Sequence, residues 1–204
     1  MALHSKLTKT VSSLTTNQVS TKRRNVLQPL IEYIQNKVVS ANEVNLNFIC
    51  THNSRRSQLA QLWAQTAAYF YNIPANCFSG GVEETAFNER AVASIERQGF
   101  KVAIQGEENP QYAVSYAEDA EPLIMFSKLF NDRSNPSTAF AAVMTCSHAD
   151  ENCPLIPGTE KRVPLLYDDP KEYDGTIEES SKYDERSTQI ATELFYVFSK
   201  VSYK

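Results

Sequence analysis

Between a strand-like run, Val44 to Ile49, and a segment where Leu59, Leu62, Trp63, Ala67 and Phe70 recur at helical spacing stand eight residues, Cys50-Thr51-His52-Asn53-Ser54-Arg55-Arg56-Ser57. Strand, short loop, helix is the only local order these patterns allow, so the loop lies at a helix N-terminus, where peptide N–H groups have no partner inside the helix. Those N–H groups and the helix dipole attract negative charge, and they favour the ionised form of a cysteine held among them. Cys50 is therefore the candidate nucleophile. Arg56 offers a planar fork of donors suited to two oxygens of a phosphate-like group, and Ser57 can donate to the sulfur. The whole loop, Thr51, His52, Asn53, Ser54, Arg55 and Arg56, is the candidate oxyanion binder. Spacing alone also fits a buried cysteine ending a strand with two arginines on a solvated turn. The strand and helix on either side favour the functional reading.

These residues resemble the low-molecular-weight tyrosine phosphatase superfamily, whose loop reads Cys-x-x-Asn-x-x-Arg-Ser, matched by Cys50, Asn53, Arg56 and Ser57. Ser79-Gly80-Gly81 and Phe87-Asn88-Glu89-Arg90-Ala91 resemble its second strand and the start of its second helix. One departure is His52, where the family usually has a glycine, the residue most at ease with positive φ.

A second pair of thiols distinguishes branches of that superfamily. Cys146 and Cys153 lie seven residues apart after the apolar run Phe140 to Met144, and Asp169-Pro170 follows sixteen residues beyond Cys153. This arrangement resembles the thioredoxin-coupled arsenate reductases, whereas ordinary tyrosine phosphatases lack the pair. The resemblance implies that Cys50 attacks arsenic while Asp169 protonates the departing oxygen. Cys146 then attacks the Cys50 sulfur, Cys153 attacks Cys146, and thioredoxin takes the final disulfide. Asp168 is adjacent, but the family's acid precedes proline, which biases its predecessor toward an extended conformation. Because a disulfide needs α-carbons within roughly 4.4 to 6.8 Å, Cys146 cannot reach both partners from one position, and residues 146–157 are expected to move.

Two alternatives stay open. Cys50, Arg56, Ser57 and Asp169 suffice for a phosphatase acting on phosphotyrosine or small phosphate esters. Cys146, His148 and Cys153, with Cys77, could instead bind a metal or metalloid without turnover. Against zinc, the chain has no Cys-x2-Cys or Cys-x4-Cys pair, and Cys77 reads as a small apolar packing residue. No metal site and no cofactor are therefore expected. His52 and His148 each lie beside a candidate thiol, and neither has a role assigned by its position in sequence.

The remaining patterns set the frame. A chain of 204 residues with 42% hydrophobic content can bury one core, and a net charge of −4 without a basic stripe leaves no footprint for nucleic acid. No leader-like apolar stretch or eighteen-residue apolar run occurs, so a cytoplasmic enzyme away from membranes is expected, its cysteines serving redox chemistry. Alternating patterns predict an α/β fold, an open parallel sheet flanked by helices. Strands are read near 44–50, 76–79, 100–104, 140–146 and 163–167, and helices near 57–71, 87–98 and 183–202. Residues 44–204 are read as the catalytic domain. Residues 1–43 add a helix, with Val26 to Val38 at helical spacing and Pro29 near its start. An insertion at 109–139 carries a strand-like Pro122 to Phe126, which extends the sheet or borders the pocket.

Overall fold

A computed structural model describes residues 2–152 and 155–203, so Cys153 lies outside the described residues. Four parallel strands form the main sheet in the order β2-β1-β6-β7: β1 (Val44–Cys50), β2 (Ala75–Gly81), β6 (Phe140–Met144) and β7 (Thr159–Pro164). Every residue of β1 and β6 is buried, as expected for strands covered on both faces, and β1 takes Asn45 and Asn47 into the interior, where their amides donate to the carbonyls of Ala139 and Phe130. Helices α3 (Arg56–Phe70), α4 (Glu89–Gln98) and α6 (Glu179–Ser199) flank this sheet. Trp63 of α3 is fully buried against Phe100 and Phe195, and its indole N–H donates to Ser187 Oγ at 2.9 Å. That bond satisfies the one polar atom that so large an apolar side chain takes into the core.

The strand expected near 100–104 forms, but not in the parallel sheet. As β3 (Lys101–Gln105) it pairs antiparallel with β4 (Gln111–Ser115), which pairs with β5 (Leu123–Met125) in a separate three-stranded sheet. Composition accounts for the difference, because a central parallel strand needs apolar residues on both faces. Lys101, Ala103, Ile104 and Gln105 are all exposed. Thus the strand-like Pro122 to Phe126 joins the second sheet, and β4 is an element the sequence patterns did not reveal. The next residues of the insertion turn back to the main sheet. Gly81 N–H donates to the Lys128 carbonyl and Phe130 N–H to the Gly81 carbonyl, both at 2.8 Å, which lays 128–130 along the end of β2.

At the N-terminus two helices form rather than one, α1 (Ser5–Ser12) and α2 (Thr21–Val39). Ser20 caps α2 by accepting from Arg23 N–H, so Pro29 sits inside the helix instead of near its start. Leu27, Leu30, Ile31 and Ile34 of α2 are buried in the core shared with α6. Arg23 forks onto Glu193 of α6 at 2.9 and 2.5 Å, a bidentate pair that fixes the angle between these helices. Among the described residues, no helix is long and apolar enough to cross a membrane.

Candidate active site

Cys50 is the last residue of β1, at the carboxyl edge of the parallel sheet, and is 3% exposed. Its sulfur lies 3.0 Å from Ser57 Oγ. Asn53 Nδ2 donates to that same oxygen at 2.8 Å. With a lone pair of Ser57 occupied, its hydroxyl hydrogen is free to point at sulfur, where a donor stabilises a thiolate.

The loop is held from outside by its carbonyls. Those of Thr51, His52 and Ser54 accept from Glu83 N–H (2.8 Å), Ser127 Oγ (2.8 Å) and Asn88 N–H (2.9 Å). In a planar trans peptide the C=O and N–H point oppositely, so the N–H groups of the same peptides face the inner side of the loop. A row of inward N–H groups at the start of a helix is an oxyanion cradle. Asn53 takes the left-handed conformation, φ 46°, which asparagine tolerates well. The positive φ falls there and not on His52, so replacing the family's glycine by histidine costs no backbone strain. Asn53 Oδ1 accepts from Gln58 Nε2 at 3.2 Å and from Lys128 N–H at 3.0 Å. It is a brace of the loop. His52 turns to the rim, its Nδ1 3.0 Å from Glu83 Oε2.

Gly81 explains why the strand after the loop ends in two glycines. A Cβ there would stand 2.8 Å from both Asn53 N and Thr51 O and would also collide with the Glu83 carbonyl, all backbone atoms. Gly81→Ala is expected to displace the loop, lowering stability by about 1–3 kcal/mol and weakening phosphate binding at least about tenfold. Thermal unfolding and phosphate competition would measure both, and unchanged phosphate affinity would show that the loop does not depend on this contact.

The two arginines share one carboxylate. Arg55 Nε reaches Asp169 Oδ1 at 2.9 Å and Arg56 Nη2 reaches Asp169 Oδ2 at 2.8 Å, while Arg56 Nη1 donates to the Tyr167 carbonyl at 3.1 Å. Asp169 Oδ1 also caps the short turn Pro170–Tyr173 by accepting from Lys171 N–H. Asp168 instead points outward, 91% exposed, 3.2 Å from Arg186. The carboxylate at the loop is therefore Asp169. The cavity bounded by Cys50, His52, Ser54, Arg55, Arg56 and Asp169 has a volume of about 10 Å³, room for roughly one water. An oxyanion taking that Arg56 donor would first have to displace the carboxylate.

Cys146 stands two residues past the end of β6 and is 1% exposed. Ile49 pairs in register with Met144, and Thr145 N–H donates to the Ile49 carbonyl at 2.7 Å. Extending that register sets Thr145 opposite Cys50 and Cys146 one residue further on, at the same end of the sheet. Both thiols belong to one apolar cluster with Ile49, Phe140, Met144 and Ala149. Cys50, Cys77 and Cys146 are free thiols. Cys146 Sγ lies 3.4 Å from Thr51 Oγ1, and His148 Nδ1 lies 3.2 Å from the same hydroxyl. Residues Ser147–Asn152, expected as part of a loop, form the short helix α5. Cys77 does not join this group. It pairs with Leu46, four residues before Cys50, about 13 Å down the sheet, and burial pushes its thiol far up. Among the described residues no three His, Cys, Asp or Glu side chains converge as a metal site.

Beneath the loop is a residue that sequence reasoning missed. Lys128 is 3% exposed, with its ammonium 4.7 Å from the centre of the Phe126 ring. Burial pushes this ammonium down to about 8 from an ordinary 10.5, with Asp132 opposing the shift. Because the folded value lies below the unfolded one, the charged form costs the folded state free energy. That cost is full below about pH 8 and fades as pH rises toward 10.5. Lys128→Met is expected to be more stable than the native chain at pH 7, by about 1–3 kcal/mol. The two should converge above pH 10.5. Urea unfolding across that range is the test, and a Met variant no more stable at pH 7 would contradict it.

A scan against protein-family models finds no match. Curated relatives do match. An arsenate reductase of Brevibacillus brevis is 31% identical over 129 residues, 63% of this chain and 78% of that protein. The arsenate reductase of Halalkalibacterium halodurans is 29% identical over 138 residues, 68% of this chain and 82% of the relative. Among solved structures, a low-molecular-weight phosphotyrosine phosphatase from Vibrio cholerae O395 superposes with a TM-score of 0.53 at 10% identity, covering 76% of this chain and 95% of that one. A low-molecular-weight protein tyrosine phosphatase from T. tengcongensis gives 0.52 at 12% identity, covering 78% and 99%. The fold is thus that of the low-molecular-weight tyrosine phosphatases, and by its match to the Brevibacillus brevis enzyme the chain belongs to the arsenate reductase family.

Proposed function

We propose that this protein reduces arsenate to arsenite through Cys50, Cys146 and Cys153, with thioredoxin as the reductant, in the cytoplasm. The observation that carries the reading is the placement of Cys146 beside Thr51 at the neighbouring strand end, where a phosphatase needs no thiol. Arsenate is held by the loop N–H groups and Arg56. The Cys50 thiolate attacks arsenic and Asp169 protonates the departing oxygen, which leaves as water. Cys146 then attacks the Cys50 sulfur. The sulfur–sulfur bond forms as the sulfur–arsenic bond breaks, and the electron pair of the latter stays on arsenic, now arsenite. Cys153 displaces Cys50 from Cys146, and the resulting disulfide is reduced by thioredoxin.

Phosphate-ester hydrolysis is the second reading, favoured by the sufficiency of Cys50, Arg56, Ser57 and Asp169 for it. Arsenate-dependent NADPH oxidation with thioredoxin and thioredoxin reductase separates the two. Sustained turnover should collapse to a single turnover in Cys153→Ser. A native chain that hydrolyses aryl phosphates but turns over no arsenate would leave the phosphatase reading in its place.

A further inference from the structure

Cys146 must lose a proton before it can attack Cys50, and its surroundings limit where the proton can go. The thiol is 1% exposed, packed with Ile49, Phe140, Met144, Ala149 and Ile156, so water has no direct path to it. Among the described residues, two polar groups touch its sulfur. One is the Ala149 N–H at 3.4 Å, a donor that steadies negative charge but accepts nothing. The other is Thr51 Oγ1, also at 3.4 Å. A threonine hydroxyl is no base, but it passes a proton on when its own hydrogen already points at an acceptor. His148 Nδ1, 3.2 Å away, accepts it when the imidazole carries its proton on Nε2. The ring is exposed on α5, and its main chain is held by Asn152 Nδ2 donating to the His148 carbonyl at 2.8 Å. Thiol, hydroxyl and imidazole form a line from the buried sulfur to solvent.

We propose that His148 is the terminal proton acceptor for Cys146, acting through the Thr51 hydroxyl. The assignment rests on the three-thiol reading above and adds a residue to it. As Cys146 attacks, its proton moves to Thr51 Oγ1, the threonine hydrogen moves to His148 Nδ1, and the imidazolium gives the proton up to water. The thiolate so formed makes the bond to Cys50 sulfur, and arsenite leaves with the electron pair. His148 touches neither substrate nor the reacting sulfurs, so it is a positioning residue for the second step alone. Thr51 also belongs to the oxyanion loop, which makes His148 the cleaner residue to change.

Rapid-quench arsenite release in a single turnover tests this, with the first step followed separately as loss of free arsenate. His148→Ala should load arsenate at the native rate and release arsenite about 10- to 100-fold more slowly, and added imidazole should restore much of the loss. His148→Asn can accept the Thr51 hydrogen bond but cannot carry the proton, so it should be as slow as the alanine variant. Native release rates in both variants would overturn the assignment. So would an asparagine variant at the native rate, since that would mean only a hydrogen bond was needed. Cys146→Ser tests the underlying reading: if it released arsenite at the native rate, the relay would fail, and His148's role with it. A slow Cys146→Ser beside a fast His148→Ala would overturn the histidine alone.

Discussion

Cys50→Ser is expected to abolish arsenate reduction and aryl-phosphate hydrolysis together, by about 10⁴-fold or more each, with little change in folding. The alcohol keeps the shape of the thiol beside Ser57, at a position only 3% exposed. It does not ionise near neutral pH, and an oxygen nucleophile cannot form the disulfide that carries away two electrons. Cys146→Ser should separate what Cys50→Ser joins. Its sulfur contacts Thr51 and Ala149 but not the oxyanion loop's inner side, so hydrolysis should persist within a fewfold while reduction stops. Parallel assays with p-nitrophenyl phosphate and arsenate read both. A Cys146→Ser variant that also lost hydrolysis would mean that the second thiol holds the loop in shape.

Asp169→Asn is expected to drive binding and chemistry in opposite directions. In the structure the carboxylate lies across Arg55 and Arg56 and leaves the cavity about 10 Å³. An oxyanion must displace that internal anion from Arg56 before it can be forked. Neutralising Asp169 removes the competition, so phosphate and arsenate should bind more tightly, by about tenfold for each 1.4 kcal/mol of competing attraction removed. In the proposed mechanism the same change removes the acid for the departing oxygen, so turnover should fall by about 10²–10⁴. Stability should fall as well, since the Arg55 side chain, 9% exposed, loses its charged partner. Isothermal titration with phosphate, beside steady-state rates, decides it. Weaker binding in the asparagine variant would mean that Asp169 holds the arginines in place for the oxyanion and does not compete with it.

The main sheet and the loop were legible because their chemistry is local. A strand-like run ending in cysteine, followed by helical periodicity, identifies β1 and α3 without tertiary information, and β1 spans Val44–Cys50 as expected. The start of α2 was not legible because its first turn, Thr21-Lys22-Arg23-Arg24, carries no buried apolar residue to show a period, and only the Ser20 cap marks it. β3 was assigned to the wrong sheet because Val102, Ala103 and Ile104 mark a strand, while only the polar ends Lys101 and Gln105 argue against a central parallel position. Its partner is the next strand, β4, and the hairpin the two form leaves β3 exposed and outside the parallel sheet. At the site, the residues Cys50, Asn53, Arg56, Ser57, Cys146 and Asp169 came from motif spacing, and the structure gathers them at one sheet edge. Lys128 and the buttress from Ser127 could not be found that way. They reach the loop through side-chain and backbone bonds 75 residues distant in sequence. Thr51 and His148 likewise form a pair only after β1 and β6 lie side by side.

The central claim, that electrons leave through a thiol on the neighbouring strand, is tested most directly by trapping the first disulfide. Cys153→Ser treated with one equivalent of arsenate, quenched with alkylating agent and digested, should yield one equivalent of arsenite and a peptide containing Cys50 cross-linked to the peptide containing Cys146, while Cys77 is recovered alkylated. Free, alkylated Cys50 and Cys146 with no arsenite formed, in protein that still hydrolyses p-nitrophenyl phosphate, would contradict the account.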